Sequence, residues 1–554
     1  MVDAMVGLLP LLPIISAVTV VFLKEEKRVR RVSNAFALAT FLLSLYLLLT
    51  ALAGGEGVYA FTAFLSFRLD ALSALMSAIV SFISLVVHFY AGRYMQDEPG
   101  YARFYALLDL TVSAILLTVT AEHLLLLFTG WSLTGTFLYF LLTHNYGRRP
   151  AVRYGLWTLV IQRLGDAFLL VALLLLAEGF GSYELTGLFE RIEQEGEQKR
   201  LLLELAGTFV VLSAFAKSAQ VPFHLWLPYT MEGPTPVSAL MHAGIVNAGG
   251  FIVNRFAPVY AFAEVGLHLA FLVGLVTAVL GALLMLVQPD VKKALGYSTV
   301  GQMGYMMMEA GLGAFALAVY HLFAHGVFKA TLFMSSGTVI HEARKDPNIP
   351  EDEIYKFFVE RELPPLKLPW YFFALITVLV PFGLVVFAHL AAGVDAFKYQ
   401  GAVVLLFFGW ITGAQTVFSI YRYGAKSPVK TLLFVLASFT VVILGYVFIG
   451  HSFERFLYPD QELIKRIYLN AEIDPLIFEL QILLLTAVAV AGWFYVYYAY
   501  ESKEVIIEKL RERYALLYRL LARELYFKEF YEKVGELLTT LGRRTDELFR
   551  GLVR

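Results

Sequence analysis

The sequence predicts an all-α, polytopic membrane protein. Three observations carry that class. Of 554 residues, 59% are hydrophobic and only 16% are charged. The apolar residues gather in runs of about 20, the length a helix needs to cross the hydrocarbon core. Basic residues collect in alternate connecting loops, the mark of the positive-inside rule.

The runs fall near 4–23, 33–53, 69–92, 102–120, 123–143, 154–178, 204–230, 236–257, 262–288, 291–310, 313–340, 370–392, 401–422, 430–450 and 476–500, about 15 transmembrane helices in all. The first is not a signal peptide, because no positive charge precedes it and no A-x-A site follows. KEEKRVRR comes after it, so the first span ends on the cytoplasmic side and the N-terminus lies outside. Later odd-numbered spans are followed in the same way by Arg93 with Arg103, Arg148 with Arg149, Lys292 with Lys293, Arg344 to Lys367, and Arg422 to Lys430. The C-terminal tail is then cytoplasmic, and the expected location is the cell (inner) membrane. Three pieces do not span. Residues 182–200 read as a short amphipathic helix and 341–369 as a long charged loop. Residues 501–554 read as an amphipathic helical tail that lies on the membrane surface, against a partner, or free in solvent.

Composition also excludes. The net charge of −1 gives no reason to expect a nucleic-acid partner. With no cysteine, disulfides, thiolate metal sites, iron–sulfur clusters and thiol catalysis are ruled out. Neither GxxxxGK[ST] nor a GxGxxG after a strand is present, so ATP-driven transport would need another chain. No flavin, quinone or nucleotide motif is found. The chain is expected to hold no catalytic site and no cofactor of its own.

Function is read from charges at membrane depth. Lys217 lies late in an apolar run, and Pro222 breaks that run soon after. An ammonium at bilayer depth costs roughly 2.5 kcal/mol or more, so it must face protein or water. Irregular backbone at that depth is tolerated only inside protein or beside a cavity. Burial disfavours the charged form of a lysine, which makes proton uptake and release near neutral pH possible. A snorkelling lysine is the alternative, and the apolar residues before Lys217 argue against it. His321, His325 and Lys329 are spaced i, i+4, i+8 and share one helix face. Such a stack suits a proton relay. The rival, a zinc site, lacks the Glu of HExxH, since the residues read HLFAH. His242 belongs either to the relay or to an interhelical hydrogen bond. Asp166 and Arg163, at i and i−3, form either a structural ion pair or part of the access path. Glu204 shares the Lys217 segment. A second broken span is expected at Pro381, with His389 beyond it. Paired broken spans predict two inverted five-helix repeats, spans four to eight and nine to thirteen. The chain then divides into N-terminal spans (1–100), a first repeat (101–257), a second repeat (258–422), C-terminal spans (423–500) and the tail (501–554).

The runs FAKSAQVPFHLWLPYTMEGPTPVSALMHAG, QPDVKKALGYSTVGQMGYM and HLFAHGVFKATLFMSSGTVIH carry a specific resemblance over about residues 70–340. The chain resembles the antiporter-like membrane subunits: the L-type proton-pumping subunit of respiratory complex I and its Mrp antiporter relatives. LYFKEFYEKV also looks like the L-type tail. The resemblance implies two inverted repeats with broken helices and a row of titratable residues at mid-membrane. It makes Lys217 the central lysine of the first half, His242 the bridging histidine and Asp166 the sixth-span aspartate. His321, His325 and Lys329 fall to the second half-channel. Two positions depart from the pattern. The fifth-span glutamate that usually pairs with the lysine is Ser132 here, which leaves Glu204 or Glu122 as substitutes. The usual lysine after the twelfth-span break is absent, with His389 nearest. The loop 341–369 also lacks the family's glycine-rich sequence. These departures resemble a DabB-type subunit of an inorganic carbon transporter, in which ion flow energises a carbonic-anhydrase-like soluble partner. The alternatives are an L-type subunit of an NADH:quinone oxidoreductase-type or hydrogenase-like complex with redox and antiporter-like partners, a stand-alone cation/proton antiporter, and a structural scaffold. The coupled ion is a proton or sodium.

Overall fold

The structure is a computed structural model. It describes residues 2–62, 64–345, 370–391, 452–476 and 515–553, with scattered positions between 403 and 494. Among these residues, nine helical segments are long and apolar enough to cross a membrane. They are α1 (Val2–Val21), α2 (Glu26–Leu52), α3 (Ala71–Tyr94), α4 (Tyr101–Thr120), α5 (Leu124–Leu142), α6 (Arg149–Phe180), the segment Thr235–Arg255, α13 (Val265–Leu286) and α15 (Phe315–Lys345). Exposed Leu and Val line the outward faces of α1, α6 and α13, as lipid contact requires. α8 (Arg200–Lys217) and α14 (Val291–Gly311) also have span length. Lys217 on the first and Glu309 on the second face the interior instead. The spans expected near 401–422, 430–450 and 476–500 lie largely outside the described residues, as does most of the loop 341–369.

Local sequence sets the helix ends. Asp70 and Ser73 form a reciprocal capping box on α3. His123 caps α5, and Asp290 caps α14. Pro150 opens α6, and Gly181 closes it at φ 65°.

The ends sort into two faces. On the N-terminal face lie the amphipathic α7 (Leu185–Glu195), α12 (Ala257–Tyr260) and α17 (Gln461–Ala471). Arg68 joins Glu122 at 3.3 Å there, and Arg255 pairs with Asp70. The opposite face holds Arg103 donating to the His144 carbonyl and Arg148 paired with Glu232. It also carries α18 (Phe527–Val553), tied to α6 by Arg153–Glu532 at 3.0 Å. The amphipathic tail therefore packs on the bundle over residues 521–532, and the free-in-solvent alternative does not hold for that stretch.

Two expectations need correction. The chain is not purely helical: β1 (Gly57–Ala60) and β2 (Ser66–Leu69) form an antiparallel hairpin, with Val58 opposite Arg68. Its β-branched and aromatic residues look apolar in a hydropathy scan but are too few to span. Pro381 does not break its span either. It sits inside the continuous α16 (Trp370–Ala391). A proline removes one backbone donor, and a membrane helix can keep its course when the flanking ladder holds. His389 lies eight residues further along the same helix, and its side chain is outside the described atoms.

α13 and α14 pack closely through small residues. A Cβ on Gly281 would collide with the backbone of Gly301, and one on Gly304 with the backbone of Ala278. Close backbone approach of this kind is how helices associate without a hydrophobic drive. It fixes the face that α14 turns toward α15.

Candidate functional site

α8 stops at Lys217, as Pro222 demands. Ala219 takes φ 51°, a conformation L-residues seldom adopt. The chain becomes helical again at α9 (Trp226–Tyr229), and then at α10 (Thr235–Leu240) and α11 (Ala248–Arg255). The freed backbone groups find partners inside the protein. Val221 N–H donates to Thr277 Oγ1 at 3.1 Å, and Gln220 N–H to the Phe215 carbonyl at 2.9 Å. Trp226 Nε1 donates to the Ala216 carbonyl at 3.1 Å. Between α10 and α11 the helix widens into a π segment, Met241–Ile245, which contains His242. Such insertions re-aim side chains and recur at functional sites.

Lys217 is 1% exposed. Its ammonium donates to the Trp131 carbonyl at 2.8 Å and lies 4.6 Å from the Trp131 ring centroid. The carboxylate facing it is Asp166, with Oδ1 at 4.0 Å. That oxygen has no hydrogen-bond partner, and the gap is just beyond hydrogen-bond reach. The other oxygen, Oδ2, forms an ion pair with Arg163 at 2.9 Å and accepts from Ser132 Oγ at 3.2 Å. Arg163 also donates to Ser132 Oγ at 2.7 Å. Ser132 therefore holds the arginine and the aspartate together, and Asp166 stands as the anion that Lys217 lacks on α5. Arg163 is 40% exposed at its side chain, so the cluster runs from a buried ammonium to the edge of the bundle. Beside Lys217 is a cavity of about 10 Å³ lined by Trp131, Thr134, Gly244 and Ala248, room for roughly one water. It joins the lysine to the π segment.

A second cluster faces the first across that segment. His242 is buried, stacks on Phe333 at 4.2 Å, and has Nδ1 without a partner. His325 is buried with Nε2 likewise unpartnered. Its titratable neighbours are His321, Lys329 and His242. Lys329 donates to Ser298 Oγ on α14 at 2.8 Å. The His321 and His325 ring centroids are 6.2 Å apart. The structure thus gathers His242, His321, His325 and Lys329, and separately Lys217, Asp166, Arg163 and Ser132.

Glu204 joins neither group. Its carboxylate accepts from the N–H groups of Glu264 and Val265 and caps α13 on the N-terminal face. Thirteen residues of helix, roughly 20 Å, separate it from Lys217. Glu122 is likewise engaged elsewhere, by Arg68 and the Thr186 N–H.

Sequence reading missed three groups. Glu309, near the end of α14, pairs with His321 Nδ1 at 3.1 Å, and Gln302 meets His321 Nε2 at 3.0 Å. His88 and Asp109 form a buried pair at 3.0 Å, with Ser16 and Ser33 donating to Asp109. Arg255, Asp70, Arg68 and Glu122 make an ionic chain on the N-terminal face. The signal for Glu309 was available: Ser298, Gln302, Tyr305 and Glu309 recur at i, i+4, i+7, i+11, a single helix stripe.

Residues 121–415 match the family model described as NADH:quinone oxidoreductase/Mrp antiporter, TM, and residues 58–105 match NADH-ubiquinone oxidoreductase (complex I), chain 5 N-terminus. The chain is 48% identical over 525 residues to a probable inorganic carbon transporter subunit DabB1 of Halothiobacillus neapolitanus, covering 94% of each chain. It is 37% identical over 368 residues to NAD(P)H-quinone oxidoreductase chain 5 of Synechocystis, covering 65% of this chain and 54% of that one. Among solved structures, the Mrp complex of a Dietzia species shares the fold at TM-score 0.59 and 20% identity, over 98% of this chain and 60% of that chain.

Proposed function

The chain belongs to the NADH:quinone oxidoreductase/Mrp antiporter family of membrane subunits, and from that premise we propose that it moves protons through a mid-membrane Lys/His relay to energise inorganic carbon uptake by a partner subunit. The observation that carries the relay is the buried Lys217 at a helix break, with the unpartnered Asp166 oxygen 4.0 Å away. Charge at that depth is sustained only where function holds it. In this reading Lys217 releases its proton toward the π segment when Asp166 swings to Arg163, and regains it when the pair closes. His242 bridges to His325, whose free Nε2 accepts, and Lys329 and His321 continue the path. Asp166 replaces the fifth-span glutamate, so the first half stays complete.

The carbon-uptake assignment is supported by likeness to the Halothiobacillus chain over nearly its whole length. A soluble carbonic-anhydrase-like partner is its corollary. Basic Arg148, Arg153 and Lys293 gather on the face opposite the N-terminus, which supports a cytoplasmic placement of that face in the cell membrane. The second reading, a redox-driven L-type subunit, is favoured by the likeness to quinone oxidoreductase chain 5. Deleting the gene and growing cells in air or elevated carbon dioxide separates the two. A defect rescued by carbon dioxide supports carbon uptake, whereas loss of redox-driven pumping with no such rescue sinks it. Lys217→Ala in a normally assembled complex tests the relay itself, and unchanged ion-dependent activity would overturn it.

A further inference from the structure

α14 and α15 turn two polar stripes toward each other. On α15 stand His321, His325 and Lys329; on α14 stand Ser298, Gln302 and Glu309. Lys329 donates to Ser298 at 2.8 Å. His321 reaches Gln302 at 3.0 Å through one ring nitrogen and Glu309 at 3.1 Å through the other. The helices run antiparallel, so the file leads from mid-membrane to the N-terminal face. Glu309 sits two residues from the end of α14. The mid-membrane end of the file is the more buried: Lys329 is 1% exposed and His325 5% exposed, while the side chains of His321 and Glu309 are 16% and 10% exposed.

The chemistry at His321 suits transfer rather than mere fastening. With both nitrogens donating, to Glu309 and to the Gln302 carbonyl oxygen, the ring is a bound imidazolium. If Gln302 turns its amide over, its NH₂ donates to Nε2 and the neutral ring is equally well held. The site therefore satisfies both protonation states at little cost, which few buried histidines can do. Among the described residues, the titratable side chain paired with this mostly buried carboxylate is that histidine.

We propose that Glu309 is the terminal proton-exchanging acid of the relay, passing protons between His321 and the N-terminal face. This rests on the relay reading above, and the test separates the two. The full chain, expressed with its partner subunits, is assayed for accumulation of labelled inorganic carbon in whole cells, with the amount of assembled protein measured alongside. Glu309→Gln keeps a hydrogen-bonding amide of the same size but cannot ionise; Glu309→Asp keeps the acid but shortens the reach. A relay role predicts that Glu309→Gln loses about a hundredfold or more, the low end of what a positioned acid contributes, while Glu309→Asp retains most activity. A mere clip between helices predicts the reverse order. Glu309→Gln at the parental rate, or equal loss in both variants, would overturn the proposal while leaving the relay standing if Lys217→Ala is dead. An active Lys217→Ala would sink the relay, whatever Glu309 does.

Discussion

Asp166→Asn removes the one carboxylate that faces Lys217 among the described residues. The side chain keeps its shape, so packing against α5 and α8 is retained, but the anion is lost. Two cations then share the site: Lys217, whose nearest acid was 4.0 Å away, and Arg163, whose carboxylate was 2.9 Å away. A unit-charge pair at that separation attracts by about 4 kcal/mol at the effective dielectric of protein interiors. Breaking a buried pair costs roughly 3–5 kcal/mol. Arg163 is partly exposed and will be screened, so the lower bound applies, about 3 kcal/mol; where that cost falls on the proton-transfer barrier it slows flux about a hundredfold. The assay is labelled inorganic carbon accumulation, normalised to assembled protein. A second variant sharpens it. Ser132→Glu in the Asp166→Asn background places a carboxylate where Arg163 already donates at 2.7 Å, and flux is expected to recover. Undiminished flux in Asp166→Asn, or its loss with no recovery in the double variant, would refute the reasoning.

Further tests follow from other parts of the molecule. Burial pushes the Asp70 carboxyl up, but Arg255 and Arg68 outweigh it and hold it well below the usual carboxylate range. Its stabilisation is therefore present above about pH 4 and lost only as pH falls further; thermal denaturation of purified chain should be insensitive to this group near neutrality, and Asp70→Asn should remove roughly 3–5 kcal/mol by orphaning the buried Arg255. Gly304→Ala presses a methyl group onto the α13 backbone at Ala278 and is expected to cost about 1–3 kcal/mol, read as a lower melting temperature in detergent. Glu524→Ala breaks the buried pair with Lys293 and the 2.8 Å hydrogen bond from Tyr229; limited proteolysis should then cut within residues 515–553 faster than in the parent.

Much of this was legible in the chain. Hydropathy located α1, α3 to α5 and α13 to within about three residues and α2, α6 and α15 to within seven, because each must match the bilayer by its own apolar length while charged helical ends run on beyond it. The break after Lys217 was legible because Pro222 comes with nearby polar residues, Ser218 and Gln220, that can serve the interrupted backbone. Pro381 has no such company: VLVPFGLVV is apolar on both sides, and the helix runs through it. Pairing across the fold was not legible. Asp166 and Lys217 are 51 positions apart, and only the packing of α6 on α8 brings them together. Glu204 looked like a relay member because it shares a helix with Lys217, but the start of α13 claims it. The π segment leaves no compositional mark, since MHAGI is compatible with an ordinary turn of helix.

The contacts beneath the break also bear on the order in which the protein is made. Tyr531 donates to the Pro222 carbonyl at 2.7 Å, Phe527 meets His224 edge-on at 5.0 Å, and Glu524 clasps Lys293. These partners are separated by between 231 and 309 positions of chain, so the later set leaves the ribosome well after the earlier one. Until it arrives, the interrupted helix has its neighbours α6 and α14 but nothing fastened across its floor. A bundle inserted span by span is thus closed at this point by residues that follow α14 by more than two hundred positions, so the floor of the break is one of the later parts of the described fold to be fastened.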